Sequence, residues 1–302
     1  MRPLWTRLAP RRFGGPAPEP LALRWARSPA VHDNWGDKLN PVLVGKLAQR
    51  PVVHAREAAD PGQPIYSVIG SGLGQLGAEK ARARTVVWGT GFVHSDAQLA
   101  PPLPRICAVR GPLTRSRLLA QGIECPEVYG DPALLYPIFY DPPVETKFDL
   151  GIIQHVRERG IEPLPAIPEP LSVRIIDITG GLEEVVDAVK SCRVIASSSL
   201  HGIIAAHSYG VPAAWLKFSD RPLGDGFKFR DYFASVGHDT IAPLIVTPDV
   251  TGADLVARAV CPLRPVDLSR LIQACPFMNA VRKAEIESRL SVCWGGRRRG
   301  GA

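Results

Sequence analysis

The segment that most constrains how this chain folds is residues 193–215, where three consecutive serines lie between two apolar stretches. Residues 193–196 and 211–215 are typical of short strands, and the apolar residues 203–210 are typical of a helix. Strands that alternate with helices favour a parallel sheet covered on both faces. The serines at positions 197, 198 and 199 then lie where a strand ends and a helix begins.

A strand-to-helix turn of this kind favours an anion, because the first N–H groups of the helix are unpaired and its dipole is positive there. We predict that Ser198, Ser199, Leu200 and Gly202 form such a site, with His201 supplying a proton or a positive charge. The same residues allow a simpler interpretation, in which the serines only cap the helix.

The composition is typical of a folded protein outside the membrane. The chain has 302 residues, 45% of them hydrophobic, which is enough for one large core or two ordinary ones. This excludes a disordered or fibrous protein. No apolar run approaches the roughly 18 residues of a membrane helix, and the twin arginine near the start precedes no hydrophobic signal core. We therefore expect a cytoplasmic protein.

The cysteines give no sign of a metal site. Six are scattered along the chain without a C-x-x-C pair, so neither zinc nor a disulfide scaffold is expected. Since no carboxylate cluster demands a metal either, we predict that the protein holds none.

The net charge of +7 indicates an acidic partner. Part of the excess lies near the termini, so we expect a disordered basic arm at residues 1–20 and a basic tail that includes residues 297–299. No recognition motif accompanies the charge, and we expect no nucleic-acid partner. An acidic small substrate and peripheral contact with an anionic membrane surface both explain it.

The order of strands and helices predicts an α/β fold with two Rossmann-like domains that face a cleft. A proline-containing linker at residues 137–147 separates them. We expect one domain at residues 21–140 and the other at residues 148–260. The remaining residues, 261–302, are expected to form helices that pack back onto the body, followed by the basic tail.

One glycine-rich motif suggests a different kind of site, one that binds a dinucleotide. Residues 72–77 match G-x-G-x-x-G directly after a predicted strand. Such a site also needs an acidic residue at the end of the next strand, to hold the ribose. Here no carboxylate follows until Asp96, so the glycines are better explained by tight turns at the rim of the cleft.

Several short motifs together resemble the polysaccharide pyruvyl transferase family over about residues 23–237. The motifs are Asn34-Trp35-Gly36-Asp37, Val109-Arg110-Gly111-Pro112, Tyr129-Gly130-Asp131-Pro132, Gly151-Ile152-Ile153-Gln154-His155, Ser199-Leu200-His201-Gly202 and Phe227-Lys228-Phe229-Arg230-Asp231. The resemblance implies a glycosyltransferase-B-like arrangement of two domains. It also implies transfer of the enolpyruvyl unit of phosphoenolpyruvate, a co-substrate used without a further cofactor, onto two hydroxyls of one sugar. The product is a pyruvate ketal in exopolysaccharide biosynthesis.

This reaction assigns expected roles to the motif residues. The donor needs cations, its methylene carbon needs an acid, and each sugar hydroxyl needs a base. We expect His201 to hold the leaving phosphate or act as acid, Arg110 to bind the donor and Asp37 to act as base. Asp37 has an alternative role as the N-cap of a helix, and Arg110 has one as an ordinary surface arginine.

The N-terminal domain is expected to bind the acceptor, which the resemblance implies is a sugar of a lipid-linked oligosaccharide at the cytoplasmic membrane face. Asn34, Gly36 and His155 are the expected acceptor-binding residues. A lone histidine at the end of a strand, such as His155, more often has a structural role. The C-terminal domain is expected to bind the donor.

The chain departs from the family pattern at Ser199, where many members have an arginine. We expect Lys217, Lys228 or Arg230 to supply the missing cation, unless all three are ordinary solvated charges. Two other functions remain open, because a fold does not fix a function. One is a glycosyltransferase that uses a nucleotide sugar, and the other is a sugar- or anion-binding subunit without catalytic activity.

Overall fold

Two parallel sheets of five strands each form the framework of the protein. A computed structural model describes residues 18–27, 34–161, 171–262 and 267–297. The first sheet has the order β2-β1-β3-β4-β5 and the second β10-β9-β8-β6-β7. The first comprises β1 (Leu21–Arg24), β2 (Val52–His54), β3 (Ile65–Ser67), β4 (Thr85–Trp88) and β5 (Arg105–Ala108), and the second β6 (Phe148–Ile153), β7 (Val173–Ile175), β8 (Cys192–Ser197), β9 (Ala213–Lys217) and β10 (Leu244–Ile245).

Helices connect the strands, as the alternating sequence pattern predicts. They are α1 (Trp35–Ala48), α2 (Glu79–Ala83), α3 (Pro112–Leu119), α4 (Leu182–Lys190), α5 (Leu200–Ser208), α6 (Phe227–Ser235), α7 (Gly252–Arg258), α8 (Leu268–Gln273) and α9 (Ala280–Arg297). Strand β4 is buried at every residue and β6 at its last four. Such continuous burial is typical of parallel strands that have layers packed on both faces.

Helix α1 begins earlier than the sequence predicts, and its first turn joins the two sheets. Asn34 caps the helix by accepting hydrogen bonds from the N–H groups of Gly36 and Asp37. The N–H of Trp35 donates to the carbonyl oxygen of Ile178 at 2.8 Å, and its indole N–H donates to that of Leu182 at 3.2 Å. The start of a helix that follows β1 is thereby anchored to the loop between β7 and α4.

The last two helices pack back onto the first sheet and α1, as predicted. The indole N–H of Trp88 on β4 donates to the carbonyl oxygen of Leu271 at 2.8 Å. The buried guanidinium of Arg282 donates to the carbonyl oxygens of Lys46 and Leu47, at the end of α1, at 2.6 and 2.9 Å. These bonds satisfy carbonyl groups that the last turn of a helix otherwise leaves unpaired.

Some sequence predictions concern residues that the structure does not describe. The predicted basic arm falls mainly at residues 1–17, and the tail beyond residue 297, which are not among the described residues. Of the predicted linker, the first two residues end the 3₁₀ helix Pro132–Ile138, and residues 140–147 have no regular structure. Among the described helices, none is long and apolar enough to cross a membrane.

Candidate functional site

A cavity of about 320 Å³ lies between the carboxyl ends of the two sheets. Ligands of parallel α/β proteins bind at this end of the strands, and the volume is at the lower end of the range of about 300–1,000 Å³ for small-molecule sites. Both sheets contribute to the lining. Seven predicted site residues are in it, namely Asn34, Asp37, His155, Ser199, Leu200, His201 and Lys228.

The amino end of α5 faces this cavity without a side-chain cap. Ser199 precedes the helix with extended backbone, and its side chain makes no capping hydrogen bond. Within the described residues, the N–H groups of Leu200 and His201 have no hydrogen-bond partner. The interpretation of the serines as simple caps is therefore wrong at Ser199. Two unpaired N–H groups at a helix start favour an anion in the cavity.

The ring of His201 lies against the first turn of α1, the helix that follows strand β1 of the first sheet. Its Nδ1 is 2.6 Å from Oδ1 of Asn34, the oxygen that also accepts the N–H groups of Gly36 and Asp37. An oxygen accepts hydrogen bonds, so Nδ1 of His201 must carry the proton and donate. In the neutral ring, Nε2 then has the free lone pair. This atom is buried and has no hydrogen-bond partner within the described residues.

Gly36 makes this contact possible because it has no side chain. A Cβ atom at position 36 would lie 2.4 Å from three atoms of the His201 ring. No flexible side chain is available to move aside, since the obstacle is the imidazole itself. The Asn34-Trp35-Gly36-Asp37 segment therefore holds the histidine. For Asn34 and Gly36, the structure favours this positioning role over the predicted direct contact with an acceptor.

Asp37 lies in the first turn of α1 rather than at its N-cap. The helix already begins at Trp35, so the alternative role of Asp37 as a cap is wrong. Its Oδ2 accepts a hydrogen bond of 2.6 Å from the side-chain amide of Asn34. Asn34 thus joins the carboxylate to the imidazole of His201. An Asp–Asn–His row of this kind orients the lone pair on Nε2.

The wall formed by the second half of the chain is basic. Lys228 is 8% exposed, and its ammonium group donates to the carbonyl oxygen of Leu223 at 3.0 Å. His155 and the exposed Arg157 lie beside it in the lining. Arg157 was not predicted, because an arginine after a short strand has no distinctive sequence signal.

Burial and neighbouring positive charges together lower the pKa values of the groups in this wall. Burial, together with the charges of Lys228 and Arg110, lowers the pKa of His201 to about 3. Burial, Lys228 and Arg157 lower the pKa of His155 to about 4. Burial, Arg110 and Arg157 lower the pKa of Lys228 to about 8, against an opposing effect of Glu158. Groups that disfavour one another's positive charge favour an anionic ligand.

Arg110 lies one layer behind the cavity. Its side chain is fully buried, with an ion pair of 2.9 Å to the equally buried Asp231. Other guanidinium hydrogens are donated to the carbonyl oxygen of Phe92 and to the hydroxyl of Ser71, at 2.7 and 2.6 Å. The predicted direct contact of Arg110 with the donor is therefore corrected. Through Ser71, which lines the cavity, Arg110 positions the wall.

Four other predicted donor-binding residues do not line this cavity. Lys217, Arg230 and Ser198 line a separate pocket, where Lys217 pairs with Asp220 and Arg230 with Asp225. The fourth, Gly202, packs against β8, since a Cβ there would lie 2.4 Å from Oγ of Ser197. Of the three cations predicted to replace the arginine at position 199, only Lys228 lines the cavity beside His201.

The wall contributed by the first half of the chain is uncharged apart from Asp37. Besides the α1 residues, it contains Gly70, Ser71, Gly72 and Gln75 from the loop after β3. Residues Leu73–Gln75 form only a short 3₁₀ turn, so this loop does not open a dinucleotide-binding helix. The position of the loop at the end of a parallel strand was the signal that could have identified Ser71 and Gln75.

Comparison with known proteins identifies the relatives of the chain. The family described as polysaccharide pyruvyl transferase matches residues 64–220. The uncharacterized protein L143 of Acanthamoeba polyphaga mimivirus is 31% identical over 210 residues, which cover 68% of this chain and 71% of that protein. The succinoglycan biosynthesis protein ExoV of Rhizobium meliloti (strain 1021) is 26% identical over 212 residues, which cover 68% of this chain and 62% of ExoV. The family match includes His155, Ser199 and His201.

Substitution of Gly36 by Ala tests the contact between α1 and His201. The new methyl group displaces the ring from Asn34 and from its buried position, so the pKa of His201 should rise from about 3 towards the ordinary value of roughly 6.5. The measurement is a pH titration of the imidazole C–H signals by NMR.

Gly45→Ala is the matched control for this experiment. Gly45 lies on the same helix, and the nearest atom to a Cβ there is a backbone oxygen at 3.4 Å. This variant should leave the titration of His201 unchanged. An unchanged pKa in Gly36→Ala would contradict the proposed packing of the ring.

Proposed function

The chain belongs to the polysaccharide pyruvyl transferase family, and we propose that it transfers the enolpyruvyl unit of phosphoenolpyruvate onto two hydroxyls of one sugar. The product would be a pyruvate ketal on an exopolysaccharide precursor, in keeping with the similarity to ExoV, a succinoglycan biosynthesis protein. The observation that carries the proposal is the division of one cavity into a basic wall and a wall of polar, mostly uncharged groups.

The basic wall suits the donor. Phosphoenolpyruvate carries a phosphate and a carboxylate, which need cations and N–H groups in fixed positions. Lys228, Arg157 and the free N–H groups of Leu200 and His201 supply them. Burial and neighbouring cations lower the pKa of Lys228 and of both histidines, and two bound anionic groups would offset both effects.

The opposite wall suits the sugar. The carboxylate of Asp37, the hydroxyl of Ser71 and the amide of Gln75 are groups that bond to hydroxyls. Asp37 and His201 each form a hydrogen bond with the side chain of Asn34, which therefore orients both groups. With the sugar on this wall and the donor on the opposite one, the acceptor hydroxyls would lie next to the enol carbon of the donor.

The chemistry requires two protons to move between the reactants. One sugar hydroxyl adds to C2 of the donor while C3 gains a proton and becomes a methyl group. The second hydroxyl then replaces the phosphate at C2, and its proton leaves with the phosphate. The free Nε2 of His201 accepts a hydroxyl proton, and the bound anion raises the pKa of the ring so that it can hold and deliver that proton. Asp37 assists as the second base.

The proposal extends to the architecture and to the location of the acceptor. The two sheets would form the cores of two Rossmann-like domains in a glycosyltransferase-B-like arrangement, with the acceptor on the first and the donor on the second. The sugar would belong to a lipid-linked precursor at the cytoplasmic face of the membrane. The net charge of +7 favours such an anionic surface.

Replacement of His201 by Asn tests the catalytic assignment. An asparagine amide can still donate to Asn34, but it cannot accept and return a proton. Phosphate release from phosphoenolpyruvate, measured with a panel of lipid-linked and synthetic glycosides, should fall by about 100-fold or more. Activity equal to that of the wild type would refute the role of His201. Turnover of a nucleotide sugar instead of phosphoenolpyruvate would refute the function itself.

Lys228→Met tests the replacement of the family arginine. Loss of a charge-assisted hydrogen bond should weaken phosphoenolpyruvate binding about 10- to 100-fold in calorimetry, whereas Lys217→Met, outside the cavity, should leave it unchanged. Ser199→Arg should partly restore binding to the Lys228→Met variant, because the new guanidinium enters the same cavity. Strictly additive effects of the two substitutions would contradict a shared anion site.

A further inference from the structure

A second pocket adjoins the cavity and is not used by the reaction described above. Its volume is about 190 Å³, well below the usual size of about 300 Å³ or more for a whole small-molecule site. A pocket of this size suits one ring of a larger ligand. It lies at the carboxyl ends of β8 and β9, and its lining includes Trp215, Phe229, Ser219 and Glu158.

The pocket and the cavity share one wall. In three pairs of consecutive residues, one residue lines the cavity and the other lines the pocket. The cavity is lined by Arg157, Ser199 and Lys228, and the pocket by their respective neighbours Glu158, Ser198 and Phe229. Consecutive Cα atoms are only about 3.8 Å apart. Leu223 lines both spaces. A ligand composed of linked rings can therefore place one ring in each.

The charges in the pocket do not suit a second anion. Lys217 and Arg230 each face a carboxylate, of Asp220 at 2.6 Å and of Asp225 at 4.0 Å. Glu158 adds a third carboxylate, so acidic groups outnumber the basic ones in the lining. This balance disfavours a phosphate or a carboxylate and favours an uncharged ligand.

Glu158 is the polar centre of the pocket. Its side chain is buried and accepts hydrogen bonds from the hydroxyls of Ser198 and Ser219 at 2.5 and 2.7 Å. Within the described residues it forms no ion pair. Because Glu158 has no exposed surface, it acts on a ligand by orienting the hydroxyl of Ser219, which is only partly buried and also lines the pocket.

Aromatic rings complete the pocket. Trp215 and Phe229 are stacked with ring centroids 4.5 Å apart and planes inclined by 10°. An apolar aromatic surface beside carboxylate and hydroxyl groups matches a sugar ring, which has apolar C–H faces and an edge of hydroxyls.

We propose that this pocket binds the sugar next to the one that is modified, so that the acceptor is recognised as at least a disaccharide. The inference rests on the proposed function for the identity of the cavity, and it adds a subsite for an uncharged neighbouring hexose. Ser219, oriented by the buried Glu158, binds one of its hydroxyls, and the exposed part of the stacked aromatic pair contacts its apolar face.

The test compares matched glycosides by calorimetry, without phosphoenolpyruvate. The probes are methyl β-glucoside with methyl β-cellobioside, and methyl β-galactoside with methyl β-lactoside. In at least one pair the disaccharide should bind about tenfold or more tightly than its monosaccharide. Glu158→Gln should remove most of this difference and leave the affinity for the monosaccharide unchanged, while Asp249→Asn, an exposed acid outside the pocket, should change neither.

Three results would overturn the subsite. They are equal affinities within both pairs, absence of saccharide binding, and an advantage of the disaccharide that persists in both Glu158→Gln and Ser219→Ala. Ser219→Ala provides the answer if the buried Glu158→Gln variant fails to fold. Phosphoenolpyruvate is titrated separately into the same proteins. Failure of the wild type to bind it would refute the proposed function and leave the saccharide result standing, whereas weaker donor binding in Glu158→Gln would assign the pocket to the donor.

Discussion

The hydrogen bond between His201 and Asn34 is the interaction on which the site depends. It joins the start of α5, which follows strand β8 of the second sheet, to the start of α1, which follows strand β1 of the first. The bond requires Gly36, because any side chain there would occupy the position of the imidazole. Since Asn34 Oδ1 also caps α1, the same atom sets the helix start, the proton on Nδ1 and the free lone pair on Nε2. The cap of α1 and the orientation of His201 therefore depend on the same side chain.

Electrostatic repulsion is the second property of the site. Burial lowers the pKa values of Lys228, His155 and His201, and nearby cations lower them too. Lys228 acts on both histidines, while Arg110 and Arg157 act on Lys228. The charge of Arg110 is offset by the buried Asp231, which also accepts hydrogen bonds from Thr114 at 2.7 and 2.8 Å. The structure thereby concentrates positive potential on one wall and leaves hydroxyl and amide groups on the other. Under the proposed function, this difference would direct the anionic donor to one wall and the neutral sugar to the other.

Much of the fold follows from the sequence because parallel strands buried on both faces are continuous apolar runs. The strand at residues 85–88 is buried at every position, and the strand at residues 148–153 is buried at its last four. The site was harder to predict, since position along the chain does not reveal which side of a turn a residue faces. Lys228 and Arg230 are two residues apart on α6 yet line different spaces. Arg110 follows strand β5 by two residues, and its partner Asp231 lies 121 residues away, a contact that only the tertiary structure brings about.

Proton uptake on donor binding tests the central claim most directly. With a pKa of about 8, Lys228 is about half protonated at pH 8, and a bound anion restores its full charge. The phosphate of the donor is already fully ionised there, since its second pKa is about 6. Calorimetry of phosphoenolpyruvate at pH 8, in two buffers of different ionisation enthalpy, should show uptake of about half a proton that is lost in Lys228→Met. Binding without uptake, or the same uptake in the variant, would contradict an anion site built on this lysine.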